Sequence, residues 1–443
     1  MKGANMANEL TYKDVLKNKE YKKLLFSNLI NRFGDSVDAI AFTWLVYQIT
    51  NSPSWTALIF GLNLLPNIIV QPFVGPIVER LNKKKVIIFT HVARGFVISA
   101  FVLMYLSGIV NPYILAAFTL TITTIESFNL PAAGAFIPSV VKKDKLAHAM
   151  SLNSSLSSAV SLVGVGLAGV IVARLGVQAA MIIDATTFFI AAIAIVPIKT
   201  LTVEGQTDEA TENNIFQESY LSLLKDGFRY MLKKKTILNV CFVAVFMNFF
   251  IVPVNALQAP IAKEIFGLGS GLLSVMGTAG AIGGIIGAII TPSIMKRFSV
   301  KMIIVTGGAI VGCFMYIMSL GSMFKGNPII GYLLAGICSC MMLLAATIIS
   351  GTINIQFEKT CDHNYLARAN SVLGAASIAA APIGSFIVSA ASIRLSTATL
   401  LGLFGLMMIV LMIFVFFSKA NFEIEQGDVT YADQTCREHK KIS

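Results

Sequence analysis

Apolar runs of roughly twenty residues recur along the chain, each long enough to cross a bilayer as a helix. Twelve are readable, over roughly 24 to 48, 55 to 78, 86 to 108, 112 to 138, 150 to 174, 177 to 197, 236 to 257, 267 to 293, 302 to 324, 328 to 356, 369 to 392 and 397 to 418. Backbone polar groups cannot stay unpaired in hydrocarbon, so runs this long and apolar must be helical. Turn-forming residues separate them: Asn51-Ser52-Pro53, Gly108 to Pro112, Gly326-Asn327-Pro328 and Arg394 to Thr397. The pattern predicts an all-α membrane protein with twelve transmembrane helices.

Composition agrees. Of 443 residues, 56% are hydrophobic and only 13% charged, with a mean hydropathy of +0.76. That excludes an ordinary soluble enzyme. The net charge of +11 would raise nucleic acid as a partner in a soluble chain. Here about 28 of the 34 Lys and Arg fall in loops on one side once the N-terminus is placed in the cytoplasm. The opposite side carries Arg174, Lys263, Lys325 and Arg394, while Arg32 and Arg94 lie within spans. The positive-inside rule therefore accounts for the charge without nucleic acid. It predicts a multi-pass protein of the cytoplasmic (inner) membrane with both termini in the cytoplasm. About twenty polar and basic residues precede the first span and no small-residue cleavage site follows it, so that span is expected to act as its own insertion signal. The six cysteines show no metal-ligand spacing. Neither a metal nor a cofactor is expected, and the chain is read as a monomer in contact with lipid.

A composition shift marks the middle. Residues 200–235 hold a polar, acidic run from Glu204 to Glu218 and then Lys233-Lys234-Lys235, which reads as a cytoplasmic linker. It divides a first half, residues 1–199, from a second, residues 236–418, followed by a tail at 419–443. The halves repeat at an offset of about 220 residues. Leu146-Ala147-His148-Ala149-Met150-Ser151 matches Leu366-Ala367-Arg368-Ala369-Asn370-Ser371, and Gly164 falls on Gly384. The basic loop of Arg80 and Lys83 to Lys85 has a counterpart in Lys296-Arg297 and Lys301. Parallel six-helix repeats are the architecture of one large class of secondary transporters.

The segment Gly75-Pro76-Ile77-Val78-Glu79-Arg80-Leu81-Asn82-Lys83-Lys84-Lys85 resembles the loop signature of the major facilitator superfamily. Glu79 stands where Asp is usual and Asn82 where Gly is usual. Asn31 to Asp35 with Tyr47-Gln48-Ile49-Thr50, Phe128 to Pro138, Asp184 to Phe188 and Asp226 to Tyr230 resemble the macrolide-efflux and enterobactin-exporter branch. The resemblance implies export of an amphiphilic molecule driven by the proton gradient. Gly164-Val165-Gly166-Leu167-Ala168-Gly169 resembles the antiporter motif of helix five, with Val165 in place of proline.

Polar residues inside spans are expensive and so point to function. Asn28, Asn31, Asp35 and Asp38 form a helical stripe in the first span. Asp35, Asp38 and Glu126 lie near midspan and are the candidates for proton coupling. Arg32, three residues before Asp35, is positioned to neutralise it. Asn63, Asn67 and Gln71, beside a Pro66 expected to kink helix two, join Asn31, Asn129 and Asn248 as candidates for the substrate cavity. Gly75, Glu79, Arg80 and Arg94 are candidates for a gate, with Arg94 expected to pair with Glu79 and to stand one turn from His91. Phe242, Phe246, Phe249 and Phe250 could form an apolar wall. Gly280, Gly283, Gly284 and Gly287 have small-residue spacing for close helix packing. Asp184, in the outer part of helix six, is expected to serve packing.

These readings favour secondary active efflux of a hydrophobic or amphiphilic molecule such as a macrolide, by proton antiport with alternating access. Export of a siderophore or metabolite is the alternative. A non-transporting scaffold or sensor would have no reason to bear the cost of midspan charges, about 10 kcal/mol in sum. No nucleophile, base or metal grouping at membrane depth suggests an enzyme.

Overall fold

The computed structural model describes residues 12–200, 229, 235–361, 366–418 and 422. Most of the linker at 200–235, the motif from Asp226 to Tyr230 apart from Arg229, and the tail at 419–443 apart from Phe422 lie outside the described residues.

Twelve helical spans are present among the described residues: α1 (Lys19–Thr50), α2 (Pro53–Ile69, continued by Gln71–Arg80), α3 (Lys83–Leu106), α4 (Pro112–Phe136), α5 (Leu146–Leu175) and α6 (Val177–Ile195), then α7 (Lys235–Ala256), α8 (Gly271–Met295), α9 (Val300–Ser319), α10 (Pro328–Thr360), α11 (Leu366–Ala391) and α12 (Thr397–Phe417). Ten helices among the described residues cross by length and composition alone. The other two are α1, which carries Arg32, Asp35 and Asp38 inside its apolar run, and α2, whose pieces of 17 and 10 residues fall short of the roughly twenty a span requires. The break in α2 falls at Val70, not at Pro66, which stays inside the first piece. Pro72 accounts for the interruption, since it has no N–H to donate to the Ile68 carbonyl one turn back.

The turn residues act as caps. Asn51 adopts a left-handed φ of 46° to end α1, and the Ser52 hydroxyl then accepts the Trp55 N–H ahead of Pro53. Asn111-Pro112 and Asn327-Pro328 repeat the device, each Asn accepting from the first turn that follows. Asn82, where the family pattern has glycine, caps α3 by accepting from the Lys85 N–H.

The repeat is visible in packing. Helices α5 and α11 begin at the matched residues Leu146 and Leu366. A Cβ placed on Gly164 would come within 2.8 Å of Ser36 on α1, and one placed on Gly384 within 2.9 Å of Val252 on α7. Each half thus presses its fifth helix against its first at the same repeat position. In helix α8, Gly283 and Gly287 lie against the Cys340 and Leu344 carbonyls of α10, so the small-residue spacing serves helix packing.

Contacts between the halves cluster at one end. There α2 meets α11, with Ser385 donating to the Ala57 carbonyl and Ser389 to the Ser54 carbonyl, and α5 meets α8, with the Gly169 N–H donating to the Ser274 hydroxyl. Gly61 and Gly169 make the approach possible, since a Cβ on either would collide with Phe386 or with Ser274. The opposite end carries the basic loops of Arg80, Lys83 to Lys85, Lys142 and Lys145, Lys296 and Arg297. Lys84 caps the end of α6 by donating to the Val196 and Ile198 carbonyls, and Glu20 accepts from the Lys199 N–H at 2.9 Å. Lys301 donates to the Ser418 carbonyl. Residues near both described ends of the chain, Glu20 and Ser418, therefore lie at the basic end.

Candidate functional site

A cavity of about 460 Å³ is lined mainly by the first half, with Arg32, Asp35, Asp38, Asn63, Arg94 and Glu126 on its wall, and is completed by Asn255, Ala256, Gln258 and Gly277 of the second half. Helix α1 supplies Asp35 and Asp38, three residues apart and so on adjoining faces. The Arg94 guanidinium of α3 donates to Asp35 Oδ1 at 3.0 Å and lies 4.2 Å over the Phe188 ring of α6. Its side chain is 9% exposed and that of Asp35 23%, so the pair is largely removed from water. Asp35 also accepts from the Asn31 side chain at 2.9 Å. Arg94, rather than Arg32, is thus the hydrogen-bonded partner of Asp35, and Arg32 lines the cavity with Glu126. Arg94 is paired with Asp35, and the side chain of Glu79, its expected partner, lies outside the described residues.

A second cavity of about 440 Å³ lies in the other half. Helix α7 presents Ala244, Met247, Asn248, Ile251 and Asn255 to it, facing Ser350 and Asn354 of α10. None of its lining residues is charged. Asn255 lines both cavities, so they adjoin at the interface between the halves. The four phenylalanines of α7 face elsewhere. Phe242 packs on Phe246 at 4.3 Å, and Phe249 and Phe250 pack against Phe404 of α12, so they build no wall of this cavity.

Among the sequence candidates, Asp35, Asp38, Glu126, Arg94 and Asn63 meet in the first cavity and Asn248 lines the second. Asn67 accepts from the Ser127 hydroxyl, and Asn129 from the Thr90 hydroxyl at 3.3 Å, each tying α4 to a neighbour. Asn28 turns away to Asn153 of α5. Gly75 has open space around it and the Arg80 side chain is exposed at the basic end, while the side chain of Gln71 lies outside the described residues. Val165, in the proline position of the helix-five motif, lines the first cavity and touches Gly277 of α8.

One group escaped the sequence reading. Glu264 sits in a single π-helical turn, Ile261–Ile265, at the closed end, where it accepts from the Tyr47 hydroxyl at 2.9 Å and from Thr397. It bridges α1 to the start of α12, and π turns mark functional positions often enough to have been a cue had one been visible in sequence. Asp184, expected to serve packing, is 1% exposed and packs behind α1 against Gly34.

The family model described as Major Facilitator Superfamily matches residues 24–374. The chain belongs to that superfamily. Among its relatives in the superfamily, the uncharacterized MFS-type transporter YvqJ of Bacillus subtilis is 24% identical over 70% of this chain and 72% of its own length. Macrolide efflux protein A of Streptococcus pyogenes is 24% identical over 78% of this chain and 82% of its own. The multidrug efflux pump Tap of Mycolicibacterium fortuitum is 22% identical over 82% and 86%. The crystal structure of the nucleoside transporter NupG superposes with a TM-score of 0.72 at 10% identity, covering 90% of this chain and all of that one, which shows the shared fold. As a major facilitator, the chain is a multi-pass membrane transporter whose two six-helix bundles enclose the adjoining cavities.

Proposed function

We propose that this transporter exports a hydrophobic or amphiphilic small molecule, of the macrolide kind, in exchange for protons. The observation that carries this reading is the pairing of unlike cavities at Asn255: one holds ionisable groups suited to a proton, the other an apolar surface dotted with amides suited to an amphiphile's body. The efflux relatives support the direction and the substrate class. The basic end faces the cytoplasm by the positive-inside rule, so the closed end faces outward and the described state is open inward. Asp38 and Glu126 carry the exchangeable protons, Asp35 is held by Arg94, and Asn63 and Asn248 meet the substrate. The loop from Gly75 to Arg80 acts as a gate. The transporter works as a monomer in the cytoplasmic membrane.

Everted vesicles from expressing cells test the proposal. Macrolides, cationic dyes and siderophores are added one at a time to vesicles holding an inward pH gradient. Collapse of the gradient by macrolides or dyes supports the reading, and collapse by siderophores alone assigns the alternative substrate. Accumulation of substrate with no movement of protons would sink proton exchange.

A further inference from the structure

Away from the central cavities, each half carries a groove between its third and fourth helices at the basic end. In the first half it encloses about 420 Å³, walled by Val86 and Phe89 of α3 and Ile125 and Phe128 of α4, with Asn82 and Lys85 at the loop end. In the second it encloses about 230 Å³, lined by Met302, Ile303 and Thr306 of α9 and Leu344 and Ile348 of α10. The internal repeat relates the two. Leu81, Lys85, Val86, Phe89 and Thr90 on one wall correspond to Phe298, Met302, Ile303, Thr306 and Gly307 on the other, each 217 positions later. Helix caps hold that register: Asn82 accepts from the Lys85 N–H, and Ser299 from the Met302 N–H.

The repeat keeps one lysine and changes the next. Lys84 donates to the Val196 and Ile198 carbonyls after α6, and its counterpart Lys301 donates to the Ser418 carbonyl after α12. Those two ammonium groups are spent on the fold. Lys85 is exposed and has no hydrogen bond or ion pair among the described residues, and Met302 stands in its place in the second half. No acid lines either groove, and Lys296 and Arg297 do not line the second. Deeper in the first groove, the Thr90 hydroxyl is taken up by the Ile87 carbonyl and the Asn129 side chain, which leaves the floor apolar. Phe89, one turn beyond Lys85, is 69% exposed on a membrane-spanning helix, so this wall meets lipid. A cation at the loop end of a hydrocarbon-lined groove matches the two parts of a phospholipid, an anionic headgroup and an acyl chain.

We propose that the groove between α3 and α4 binds a phospholipid with an anionic headgroup, held at Lys85, with an acyl chain lying along Phe89, Ile125 and Phe128. The positive-inside rule puts this end of the molecule at the inner leaflet, whose anionic lipids attract lysines near the surface. The repeat-related groove between α9 and α10 lacks the cation and so does not select the charge of the headgroup whose chain it touches. The lipid lies on the outside of the bundle, and the inference is independent of which substrate is exported and of what drives it.

Native mass spectrometry of the purified full-length protein in detergent, titrated with phosphatidylglycerol or with phosphatidylcholine of the same chains, reads the affinity of the first lipid bound. Phosphatidylglycerol should bind about fivefold more tightly, the scale of one lysine near an anionic surface. Lys85→Met, which copies the second half, should bring the two lipids to near parity with phosphatidylcholine binding unchanged. Lys85→Arg should keep the preference, and so should Lys142→Met, which removes an exposed charge at the same end but outside the groove. A preference that survives Lys85→Met, or that falls as far in Lys142→Met, overturns the site and leaves only a diffuse attraction of the basic loops. Glycerol 3-phosphate carries the phosphate without the chains and should not displace phosphatidylglycerol. Displacement by it overturns the groove as the seat of a lipid.

Discussion

The cavity of the first half and the cavity of the second are built from equivalent helices, α1 and α4 in one and α7 and α10 in the other, and are nearly equal in volume. Their linings differ in kind. The first gathers Arg32, Asp35, Asp38, Arg94 and Glu126, whereas the second offers only amides and hydroxyls, such as Asn248, Asn354 and Ser350, among aliphatic and methionine side chains. Internal repetition thus fixed a shared scaffold while the chemistry diverged. Charge is costly at membrane depth wherever it sits, so confining it to one half allows the other to present a surface that an apolar molecule can occupy.

The largest test of this division is the removal of its acids. Asp38→Asn with Glu126→Gln should lower drug-driven proton release by on the order of 10²-fold, the scale typical of positioned proton-transfer groups, while detergent-solubilised protein still binds drug. Normal pH-dependent efflux in that double variant would show that the charged cavity is not the proton site. Next in size is Arg94→Ala, which leaves Asp35 without its partner. Breaking a buried pair costs about 3–5 kcal/mol, and the partial exposure of Asp35 puts the expected loss near the lower bound. Thermal unfolding in detergent measures it, and Arg94→Lys should recover only part because an ammonium cannot both fork to Asp35 and stack on Phe188.

Smaller effects should come from the apolar side. Asn354→Ala should change the apparent affinity for one drug relative to another by about fivefold, the equivalent of a single neutral hydrogen bond, with proton release per drug unchanged. A change in the proton ratio would dissolve the division between the cavities. Glu264→Gln, at the closed end beyond both, should favour opening of that end by a similar factor as its bonds to Tyr47 and Thr397 weaken. Reaction of a cysteine at Ser54 with an impermeant thiol reagent reports it.

The smallest effect is expected far from either cavity. Glu20 precedes the apolar run of α1 and accepts from the Lys199 N–H and from Lys23, in that order of importance, which holds its carboxyl below the usual range. An acid whose ionisation is favoured by folding stabilises above its unfolded pKa, and that contribution is lost as pH falls through its folded value. Glu20→Gln should therefore flatten the acid side of the stability curve slightly and leave proton coupling unchanged.

Legibility differed between levels. Span positions were readable because hydrocarbon imposes one solution, a helix of sufficient length, and Asn and Ser caps beside proline set its limits. Asp35, Asp38 and Glu126 were readable from depth alone. The partner of Arg94 was not, since a guanidinium in helix three can reach helix one or the following loop, and the choice depends on how the helices pack. Asn67 and Asn129 carried the same signal as Asn63, yet two of the three satisfy neighbouring helices, because an amide in a span can serve a ligand or a hydroxyl equally well.

What the sequence determined by itself is the membrane class, the twelve helices, the six-residue echo that starts α5 and α11, and the side that carries the basic loops. These follow from local chemistry: apolar length, caps and the distribution of charge along the chain. Only tertiary structure decided that Asp184 stands behind Gly34, that Glu264 joins α1 to α12, and that the phenylalanines of α7 turn from the cavity. Each depends on which faces of helices distant in sequence are pressed together. Helix rotation and approach are set by small residues and side-chain volumes on both partners at once, and no single stretch of sequence contains both.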